Sequence, residues 1–488
     1  MSTPIAFGTD GWRAVIAEDF TFANVRAVAL SVARFLNGHG LASRKLVVGY
    51  DTRFGSDRFA EAVAEVATAA GVPVSLADRF CPTPAVSYNV LARHAGGAII
   101  VTSSHNPASW NGIKYKPDYA GSASPEVITE LEAPLEEILR GQIPRMPLDA
   151  ARSAGLFETF DPRTPYLTRL AQMVDLRALR GAGLNVAVDS MYGAGQSYLA
   201  ELLSGGKSAV TELHAENNPL FPDIHAPEPI ARNLDLLSKT MQEPFDPLPP
   251  PAAGSRPAFD VGIATDGDAD RLGVMDERGV FVDQLQVFAL LTYYFLEVRG
   301  ERGPIVRSVT TTRMVDRLGE IYGVPVHETA VGFKYLGPKM MEEDALLGGE
   351  ESGGYGFRGH VPERDGILAG LYFLDLMART GKRPSELLQQ LYAKVGPHYY
   401  DRSDVEFDQQ QRSAILERLS AAKPAELAGL AVTSTSTIDG FLYNLEGGGW
   451  LLIRFSGTEP LMRVYCEVPS EDLVPKVLAA GKQLAGIG

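Results

Sequence analysis

The sequence has little cysteine and no long hydrophobic run. Its two cysteines, Cys81 and Cys466, are far apart in a chain of 488 residues and do not suggest the disulfide framework of a secreted domain. No apolar stretch reaches the ~20 residues that a membrane-spanning helix needs. The first residues, MSTPIAFG, lack the basic start and apolar stretch of a secretory signal. We therefore expect a cytoplasmic protein without a membrane partner.

An excess of positive charge is also missing. The chain has 45 Lys and Arg residues against 60 Asp and Glu residues, which gives a net charge of -15. Nonspecific nucleic-acid binding needs a basic surface that displaces counterions, so we expect no nucleic-acid partner. An anionic substrate would have to be held by basic side chains gathered in one place. The sequence has no Walker A motif and no G-x-G-x-x-G on a turn between a strand and a helix, so nothing indicates nucleotide binding.

What the sequence does contain is a repeated alternation of strands and helices. The apolar run KLVVGYDTR leads into a polar loop and then a helix-like stretch, 59–70, and strand-then-loop signals return near residues 184, 260 and 304. This order predicts parallel βαβ units and, in a chain of this length, several α/β domains. After about residue 395 strands and turns dominate, which predicts a separate α+β domain.

The loop TDGDADR carries the densest cluster of acidic side chains. Asp266, Asp268 and Asp270 alternate along it, so three carboxylates can converge on one hard cation. A solvated acidic turn is disfavoured because apolar strands flank the loop on both sides. A calcium EF-hand would place Glu277 at its twelfth position, but Arg271 occupies the sixth, where the loop requires glycine. We predict a magnesium site.

The loop TSSHNP follows the apolar strand AIIV and offers Ser103, Ser104 and His105. A hydrolase serine would be expected in a G-x-S-x-G elbow, which is absent. A serine that carries a phosphoryl group needs a cation nearby, which the acidic loop could supply. The alternative is an ordinary Ser/Asn/Pro turn.

Further loops combine glycine with polar or basic side chains. GGEESGGYGF contains Glu350 and Ser352, which could approach sugar hydroxyls closely. RFSGTEP is a candidate anion cradle, because backbone N–H groups and hydroxyls follow an arginine there. The residues of this cradle are Arg454, Ser456, Gly457 and Thr458. Arg13 in FGTDGWR and Lys334 in AVGFKYL, taken singly, are better explained as surface charges.

Together these segments resemble the α-D-phosphohexomutase family of isomerases, which includes phosphoglucomutases, phosphomannomutases and phosphoglucosamine mutases. FGTDGWR, TSSHNP with NGIKY, TDGDADR, GEESGG and RFSGTEP occur in the family's order over nearly the whole chain. The resemblance implies four domains around a central cleft: three related mixed α/β sandwich domains and a smaller C-terminal α+β domain. The expected ranges are 1–158 with the phosphoserine loop, 159–283 with the metal loop, 284–394 with the sugar loop and 395–488 with the phosphate loop. The proline-rich segment 243–259, a linker by composition, would then be an insertion in the second domain.

The resemblance also implies roles for single residues around the metal. Ser104 would carry a phosphoryl group in the active enzyme and would bind Mg²⁺ together with Asp266, Asp268 and Asp270. Arg271 would lie beside them. The candidates for the general acid and base are His105 and Lys114, and the basic groups that face the cleft are Arg13, Lys114 and Lys334.

The rest of the implied site binds the substrate. Glu350 and Ser352 would contact sugar hydroxyls. The phosphate that is not being transferred would be held by the cradle of Arg454, Ser456, Gly457 and Thr458. The implied partners are therefore small-molecule hexose phosphates, and the protein is expected to be a monomer or a homodimer.

The implied reaction interconverts glucose 1-phosphate and glucose 6-phosphate. Phospho-Ser104 would give its phosphoryl group to the sugar phosphate, the resulting glucose 1,6-bisphosphate would turn around, and its other phosphate would return to Ser104. The bisphosphate is also the expected activator. EES and RGHVPERDG favour glucose; a mannose or dual-specificity mutase is the alternative, and glucosamine ranks last. A phosphatase, which needs no second phosphate site, and a noncatalytic binder are disfavoured.

Two positions depart from the family pattern. Ser103 places a second hydroxyl beside Ser104, where many members have alanine. Gly353 and Gly354 stand where bacterial phosphomannomutases and glucosamine mutases usually have Gly-His. That histidine is missing unless His360 replaces it.

Overall fold

The computed structural model describes residues 5–242, 258–455 and 461–487. It contains four sheets, each with its own helices, and this confirms the predicted four-domain α/β architecture. Three of the sheets mix parallel and antiparallel pairs, and the fourth is antiparallel in every pairing described. None of the helices described is long and apolar enough to cross a membrane.

Domain I is built on a six-stranded sheet in the order β1-β5-β4-β2-β3-β6. Its strands are β1 (Trp12–Val15), β2 (Leu46–Tyr50), β3 (Val74–Ala77), β4 (Gly97–Val101), β5 (Trp110–Pro117) and β6 (Phe157–Phe160). Its helices are α1 (Phe22–Gly38), α2 (Ser56–Ala69), α3 (Thr83–Ala92), α4 (Pro125–Glu132), α5 (Leu135–Arg140) and α6 (Leu148–Ser153). The expected boundary at residue 158 cuts through β6, which pairs with β3, so this domain extends at least to Phe160.

Domain II has a five-stranded sheet in the order β11-β10-β9-β7-β8. Its elements are α7 (Arg163–Met173), α8 (Leu176–Gly181), β7 (Asn185–Asp189), α9 (Tyr198–Leu203), β8 (Ala209–Leu213), α10 (Asp235–Gln242), β9 (Val261–Thr265), β10 (Leu272–Met275) and β11 (Phe281–Val282). Most of the proline-rich segment, 243–257, lies outside the described residues. The elements on either side of it, α10 and β9, pack into one core, which supports an insertion within this domain over a linker between domains.

Domain III has a four-stranded sheet in the order β13-β12-β14-β15. Its elements are α11 (Gln284–Tyr293), β12 (Ile305–Ser308), α12 (Met314–Tyr322), β13 (Val326–Thr329), α13 (Phe333–Glu342), β14 (Leu347–Gly349), β15 (Tyr355–Phe357), α14 (Gly366–Thr380) and α15 (Pro384–Val395). A π-helical turn, Tyr294–Val298, extends α11. Asp283 begins α11 with a capping box, in which its carboxylate accepts from the backbone N–H of Gln286.

Domain IV is an antiparallel sheet in the order β16-β21-β20-β19-β18-β17, with two helices. Its elements are β16 (Tyr399–Glu406), α16 (Arg412–Ala421), β17 (Glu426–Leu427), β18 (Leu430–Ser436), β19 (Phe441–Leu445), β20 (Trp450–Phe455), β21 (Leu461–Val468) and α17 (Val474–Ala485). Its main core is separate from the large core that domains I, II and III share. Domain IV meets domain III through a small apolar cluster around Trp450 and Val309.

Candidate active site

Ser104 lies beyond the carboxyl end of β4, in the loop that leads to β5. Its Oγ donates a hydrogen bond of 2.8 Å to Asp266 Oδ2, and its backbone N–H donates to Thr102 Oγ1 at 2.9 Å. Ser104 is fully buried and has a left-handed backbone φ of 51°. This conformation costs a non-glycine residue roughly 1 kcal/mol or more, so the surrounding contacts must hold it.

Arg53, shortly after β2, provides many of these contacts. One of its terminal nitrogens donates to the backbone carbonyls of Ser104 and Asn106, at 2.6 Å each. The other donates to the carbonyls of Pro107 at 2.9 Å and Trp110 at 3.1 Å. A single buried guanidinium therefore fixes the course of the serine loop through four of its carbonyl groups.

The three predicted metal ligands lie together in the loop between β9 and β10. Asp266, Asp268 and Asp270 are all buried, and one carboxylate oxygen from each lies within 4.8 Å of the others. Asp268 Oδ1 and Asp270 Oδ1 have no hydrogen-bond partner in the part of the chain that the structure describes. Buried oxygens in this state require an explanation, and an all-oxygen donor set suits Mg²⁺. The residues present therefore fit the predicted ion.

Charge repulsion acts on this triad. Burial and the neighbouring carboxylates of Asp270 and Asp268 raise the pKa of Asp266 well above its ordinary value. Burial also opposes ionisation of Asp268, but the Lys114 ammonium holds the pKa of Asp268 below its ordinary value. A bound cation would relieve the repulsion that raises the first of these pKa values.

Lys114, on β5, is the main cation in contact with the triad. Its Nζ lies 2.7 Å from Asp268 Oδ2 and 2.8 Å from both Asp270 Oδ2 and Asp10 Oδ2. Burial alone would lower the pKa of Lys114, but these carboxylates raise it well above its ordinary value. Lys114 is therefore a fixed positive charge here, which favours an electrostatic role over that of a base.

Arg364 joins the metal loop to the sugar loop. It lies 2.8 Å from Asp270 Oδ2 and 3.7 Å from Glu350 Oε2, and it also donates to Asp10. These acidic groups belong to domains II, III and I respectively. One guanidinium thus connects three domains at the centre of the cleft.

Two further arginines lie near the serine loop. Arg13, on β1, donates to Asn106 Oδ1 at 3.0 Å. Arg271 Nε lies 3.9 Å from Asp266 Oδ2 and from Asp270 Oδ1. Burial and the nearby Arg271 lower the pKa of Arg13. A pair of cations that repel each other in this way favours binding of an anion between them.

His105 follows the serine directly. Its Nδ1 lies 3.4 Å from Ser104 Oγ, at the long end of hydrogen-bond distance. Burial, together with the positive charge of Arg271, lowers the pKa of His105 well below its ordinary value. The imidazole is therefore neutral at pH 7, so one ring nitrogen can accept a hydrogen bond.

The predicted sugar contacts lie in the turn between β14 and β15. Glu350 is buried, its Oε1 accepts from the Gly332 backbone N–H at 2.7 Å, and burial raises its pKa. Ser352 is half-buried in the same turn. Lys334 lies in the first turn of α13 with its Nζ 5.3 Å from the ring centroid of Tyr335. Glu350 is thus hydrogen-bonded to the backbone two residues before Lys334.

The predicted phosphate cradle is described only at Arg454, near the end of β20. Its Nε donates to Asp439 Oδ1 at 2.8 Å. Burial opposes the charge of Arg454, but Asp439 raises its pKa above the ordinary value. Ser456, Gly457 and Thr458 lie outside the described residues, so their part of the cradle stays a prediction.

Sequence reasoning missed Asp10, Thr83 and Arg364. Thr83 Oγ1 donates to Asp268 Oδ2 at 2.5 Å, yet the segment around it, CPTPAV, has no functional signature. Asp10 stands inside FGTDGWR and Arg364 inside RGHVPERDG. The signal that could have identified Asp10 and Arg364 was a charged residue inside a segment already chosen as functional.

Two residues considered from the sequence lie outside the site. His360 Nε2 is 2.9 Å from Asp365 Oδ2, and its side chain is fully buried against that carboxylate, which caps α14. His360 therefore does not take the place of the missing histidine in the sugar loop. Glu277 accepts a hydrogen bond from the Ser385 hydroxyl and is not part of the triad, which contradicts the calcium alternative.

Family models of phosphoglucomutase/phosphomannomutase match the chain four times: alpha/beta/alpha domain I at residues 4–141, domain II at 164–279, domain III at 283–395 and the C-terminal domain at 414–480. The chain belongs to the phosphoglucomutase/phosphomannomutase family. The resemblance seen in the motifs is confirmed, and the chain is an enzyme of the phosphohexomutase class of isomerases.

Individual relatives of this phosphohexomutase carry different substrate names. A Thermococcus kodakarensis protein named phosphoglucomutase/phosphomannomutase is 30% identical over 483 residues, 98% of each chain. A Cereibacter sphaeroides phosphoglucosamine mutase is 31% identical over 98% of this chain and 99% of its own. A solved structure from Thermus thermophilus, assigned to the phosphomannomutases, is 35% identical with a TM-score of 0.83 and covers 100% of both chains. Similarity to these proteins does not determine which hexose phosphate is the substrate.

Proposed function

We propose that this phosphohexomutase is a magnesium-dependent phosphoglucomutase that interconverts glucose 1-phosphate and glucose 6-phosphate. The observation that carries the proposal is the position of Ser104. Its Oγ lies 2.8 Å from Asp266 Oδ2, and Asp266 is clustered with Asp268 and Asp270, each of which has a buried oxygen without a partner among the described residues. A phosphoryl group on this oxygen would lie among fixed positive charges, which is how proteins stabilise phosphoryl transfer.

Each half of the reaction moves one phosphoryl group. In the first half a sugar hydroxyl oxygen bonds to phosphorus, the bond from phosphorus to Ser104 Oγ breaks, and the hydroxyl proton ends on Oγ. After the bisphosphate has turned around, Ser104 Oγ bonds to the other phosphorus and gives its proton to the departing sugar oxygen. The phosphoserine is restored and no atom is gained or lost.

The side chains around Ser104 divide this work. We assign the transient holding of the proton to His105, because it is the imidazole 3.4 Å from Ser104 Oγ and because the negative charge of a bound phosphate would counter the burial and cations that lower its pKa. Arg13 and Arg271 face the transferring group, and Lys114 orients two aspartates of the triad. When bound by Ser104, Asp266, Asp268 and Asp270, Mg²⁺ supplies positive charge against the transferring phosphoryl group.

Recognition of the rest of the substrate falls to domains III and IV. Glu350 and Ser352 are proposed to contact sugar hydroxyls, with Lys334 beside them. Arg454, Ser456, Gly457 and Thr458 are proposed to hold the second phosphate. The EES and RGHVPERDG segments support glucose. The Thermococcus kodakarensis relative, whose name includes both activities, supports a dual glucose and mannose enzyme as the second candidate, ahead of glucosamine.

The test is isomerisation of glucose 1-phosphate, mannose 1-phosphate and glucosamine 1-phosphate in parallel, each with Mg²⁺ and a trace of its own 1,6-bisphosphate. We expect the highest kcat/KM for glucose 1-phosphate and no isomer from the Ser104→Ala variant. Equal rates with glucose and mannose phosphates would favour the dual-specificity enzyme. Release of free phosphate without isomer would contradict the proposed reaction.

A further inference from the structure

One of the polar contacts between domains III and IV is made by an aspartate that none of the motifs contains. Asp439 is half-buried in the turn between β18 and β19. Its Oδ1 accepts from Arg454 Nε at 2.8 Å within domain IV, and its Oδ2 accepts from the Val331 backbone N–H at 2.9 Å in domain III. One carboxylate therefore holds the phosphate-site arginine and anchors it to the neighbouring domain.

The anchor point in domain III is also the support of the sugar loop. Gly332, next to Val331, donates its N–H to Glu350 Oε1 at 2.7 Å. Gly332 has a φ of +123°, and a Cβ there would lie 2.8 Å from Thr9 Cγ2 of domain I. Only glycine suits this conformation, and the space beside it is already filled. The segment 331–332 is thus a tightly constrained corner.

A second contact joins domain IV to the same loop. Glu351 Oε1 accepts from the Tyr400 hydroxyl at 2.8 Å and from Arg402 at 3.1 Å. Two consecutive carboxylates thus have different partners. Glu350 accepts a hydrogen bond from Gly332 in domain III, and Glu351 accepts hydrogen bonds from Tyr400 and Arg402 in domain IV. The sugar loop cannot shift without disturbing one of these contacts.

We infer that Asp439 is a positioning residue that couples the phosphate site to the sugar site. A continuous path runs from Arg454 through Asp439 to Val331, and from the adjacent Gly332 to Glu350. Through this path, Arg454 is held at a fixed distance from Glu350, the residue proposed to contact the sugar. This inference rests on the proposed function, because it takes Arg454 to bind the phosphate that is not transferred.

Two substitutions separate the two contacts of Asp439. Asp439→Ala removes both acceptors. Asp439→Asn keeps one oxygen that can accept from Val331, but it turns an NH₂ group toward the Arg454 guanidinium, which donates only. The matched control is Asp472→Asn, which removes the charge of an exposed aspartate paired with Lys476 on α17 of the same domain.

The experiment measures steady-state isomerisation of glucose 1-phosphate and hydrogen exchange of the 331–332 amides in the full-length enzyme with Mg²⁺. For Asp439→Ala we expect KM to rise about tenfold or more, as for loss of a charge-assisted hydrogen bond, with kcat within about twofold and faster amide exchange. Asp439→Asn is expected to raise KM while keeping most of the amide protection. Asp472→Asn should change neither.

The outcomes separate this inference from the proposed function. Unchanged KM and unchanged amide exchange in Asp439→Ala would overturn the positioning role of Asp439. A fall in kcat with KM unchanged would also overturn it, because the residue would then act on the chemical step. If the wild-type enzyme isomerises no hexose phosphate but Asp439→Ala still speeds hydrogen exchange of the 331–332 amides, the contact of Asp439 with Val331 is supported and the proposed function is contradicted.

Discussion

The two halves of the cleft are built differently. Around Ser104, the carboxylates of domains I and II are buried and matched by Lys114 and Arg364, most of them within 2.8 Å. In domains III and IV, by contrast, Lys334 and Arg454 are only half-buried. This difference in burial follows from the different functions proposed for the two halves. Phosphoryl transfer needs fixed charges in a dry site, whereas recognition must let a bisphosphate turn around.

The carboxylates show the same contrast. Lys114 lowers the pKa of Asp268 in the reaction half. At the contact of domains III and IV, Asp283 and Glu467 are near each other, and burial raises the pKa of both. In the reaction half, Lys114 contacts Asp268 and Asp270, while Asp266 keeps a raised pKa that a bound cation would relieve. At the contact of domains III and IV, burial is the largest effect on both acids.

The largest loss of activity is expected from substitution of Ser104, with Ser103 as the comparison. In Ser104→Ala the acceptor oxygen is gone, so isomerisation should fall by roughly 10³-fold or more. Ser103→Ala is the matched control, because Ser103 is equally buried and its hydroxyl has no partner among the described residues. We expect this control to keep most of the activity.

Peptide mass spectrometry of enzyme incubated with glucose 1,6-bisphosphate gives the second readout. Phosphate should appear on Ser104 in the wild type and in Ser103→Ala, and should be missing in Ser104→Ala. Phosphate on Ser103 with retained activity in Ser104→Ala would show that the adjacent hydroxyl is the acceptor, and the assignment of the reaction half would be wrong.

A smaller effect is expected from the charge that Lys114 supplies. Lys114→Met keeps the apolar stem but leaves buried carboxylates without their cation, which should cost about 3–5 kcal/mol of stability. Mg²⁺ should recover part of this loss, since the triad then regains positive charge. Thermal unfolding with EDTA and with Mg²⁺ measures both effects, and EDTA should also abolish isomerisation by the wild-type enzyme.

Lys116→Met is the control for this experiment. Lys116 is buried and paired with Asp10 and Glu363, outside the triad. Its substitution should also destabilise the protein, but Mg²⁺ should give no more recovery than it gives the wild type. Equal recovery in both variants would argue against a metal at Asp266, Asp268 and Asp270.

The sequence could predict the positions of the functional loops, because the functional side chains come directly after apolar strands. Ser104 comes after β4 and Asp266 after β9. The carboxyl ends of such strands are where α/β sheets bind ligands. The number of domains came from the family resemblance that the five motifs carry.

The connections between these loops could not be predicted. The contact of Arg364 with Asp10, 354 residues away in sequence, depends on how domains I and III pack. Asp439 lies in a turn whose sequence, TIDGF, is typical of many β-hairpins. The end of domain I could not be set from the sequence pattern, because β6 has only four residues, too few for a reliable alternation of apolar and polar positions.

The smallest effect is expected at the contact of domains III and IV and depends on pH. Burial, with a further contribution from Glu467, raises the pKa of Asp283 to about 6 from the model-peptide value of 3.8. Between these two values the folded protein holds a proton that the unfolded chain has released. Stability contributed by this group is therefore fully present below about pH 4 and is lost as pH rises to about 6, by up to about 3 kcal/mol.

Asp283→Asn removes this titration and keeps an oxygen that can cap α11. Relative to the wild type, the variant should gain stability as pH rises from 4 to 6, and the difference should stay constant above that range. Thermal unfolding at pH 4, 5, 6 and 7 measures it, with Asp175→Asn, which replaces an exposed cap of α8, as the correction for an Asp-to-Asn change in a cap. A difference that shrinks as pH rises would mean that Asp283 is paired like the carboxylates around Lys114, and the contrast between the two halves of the cleft would not hold at this position.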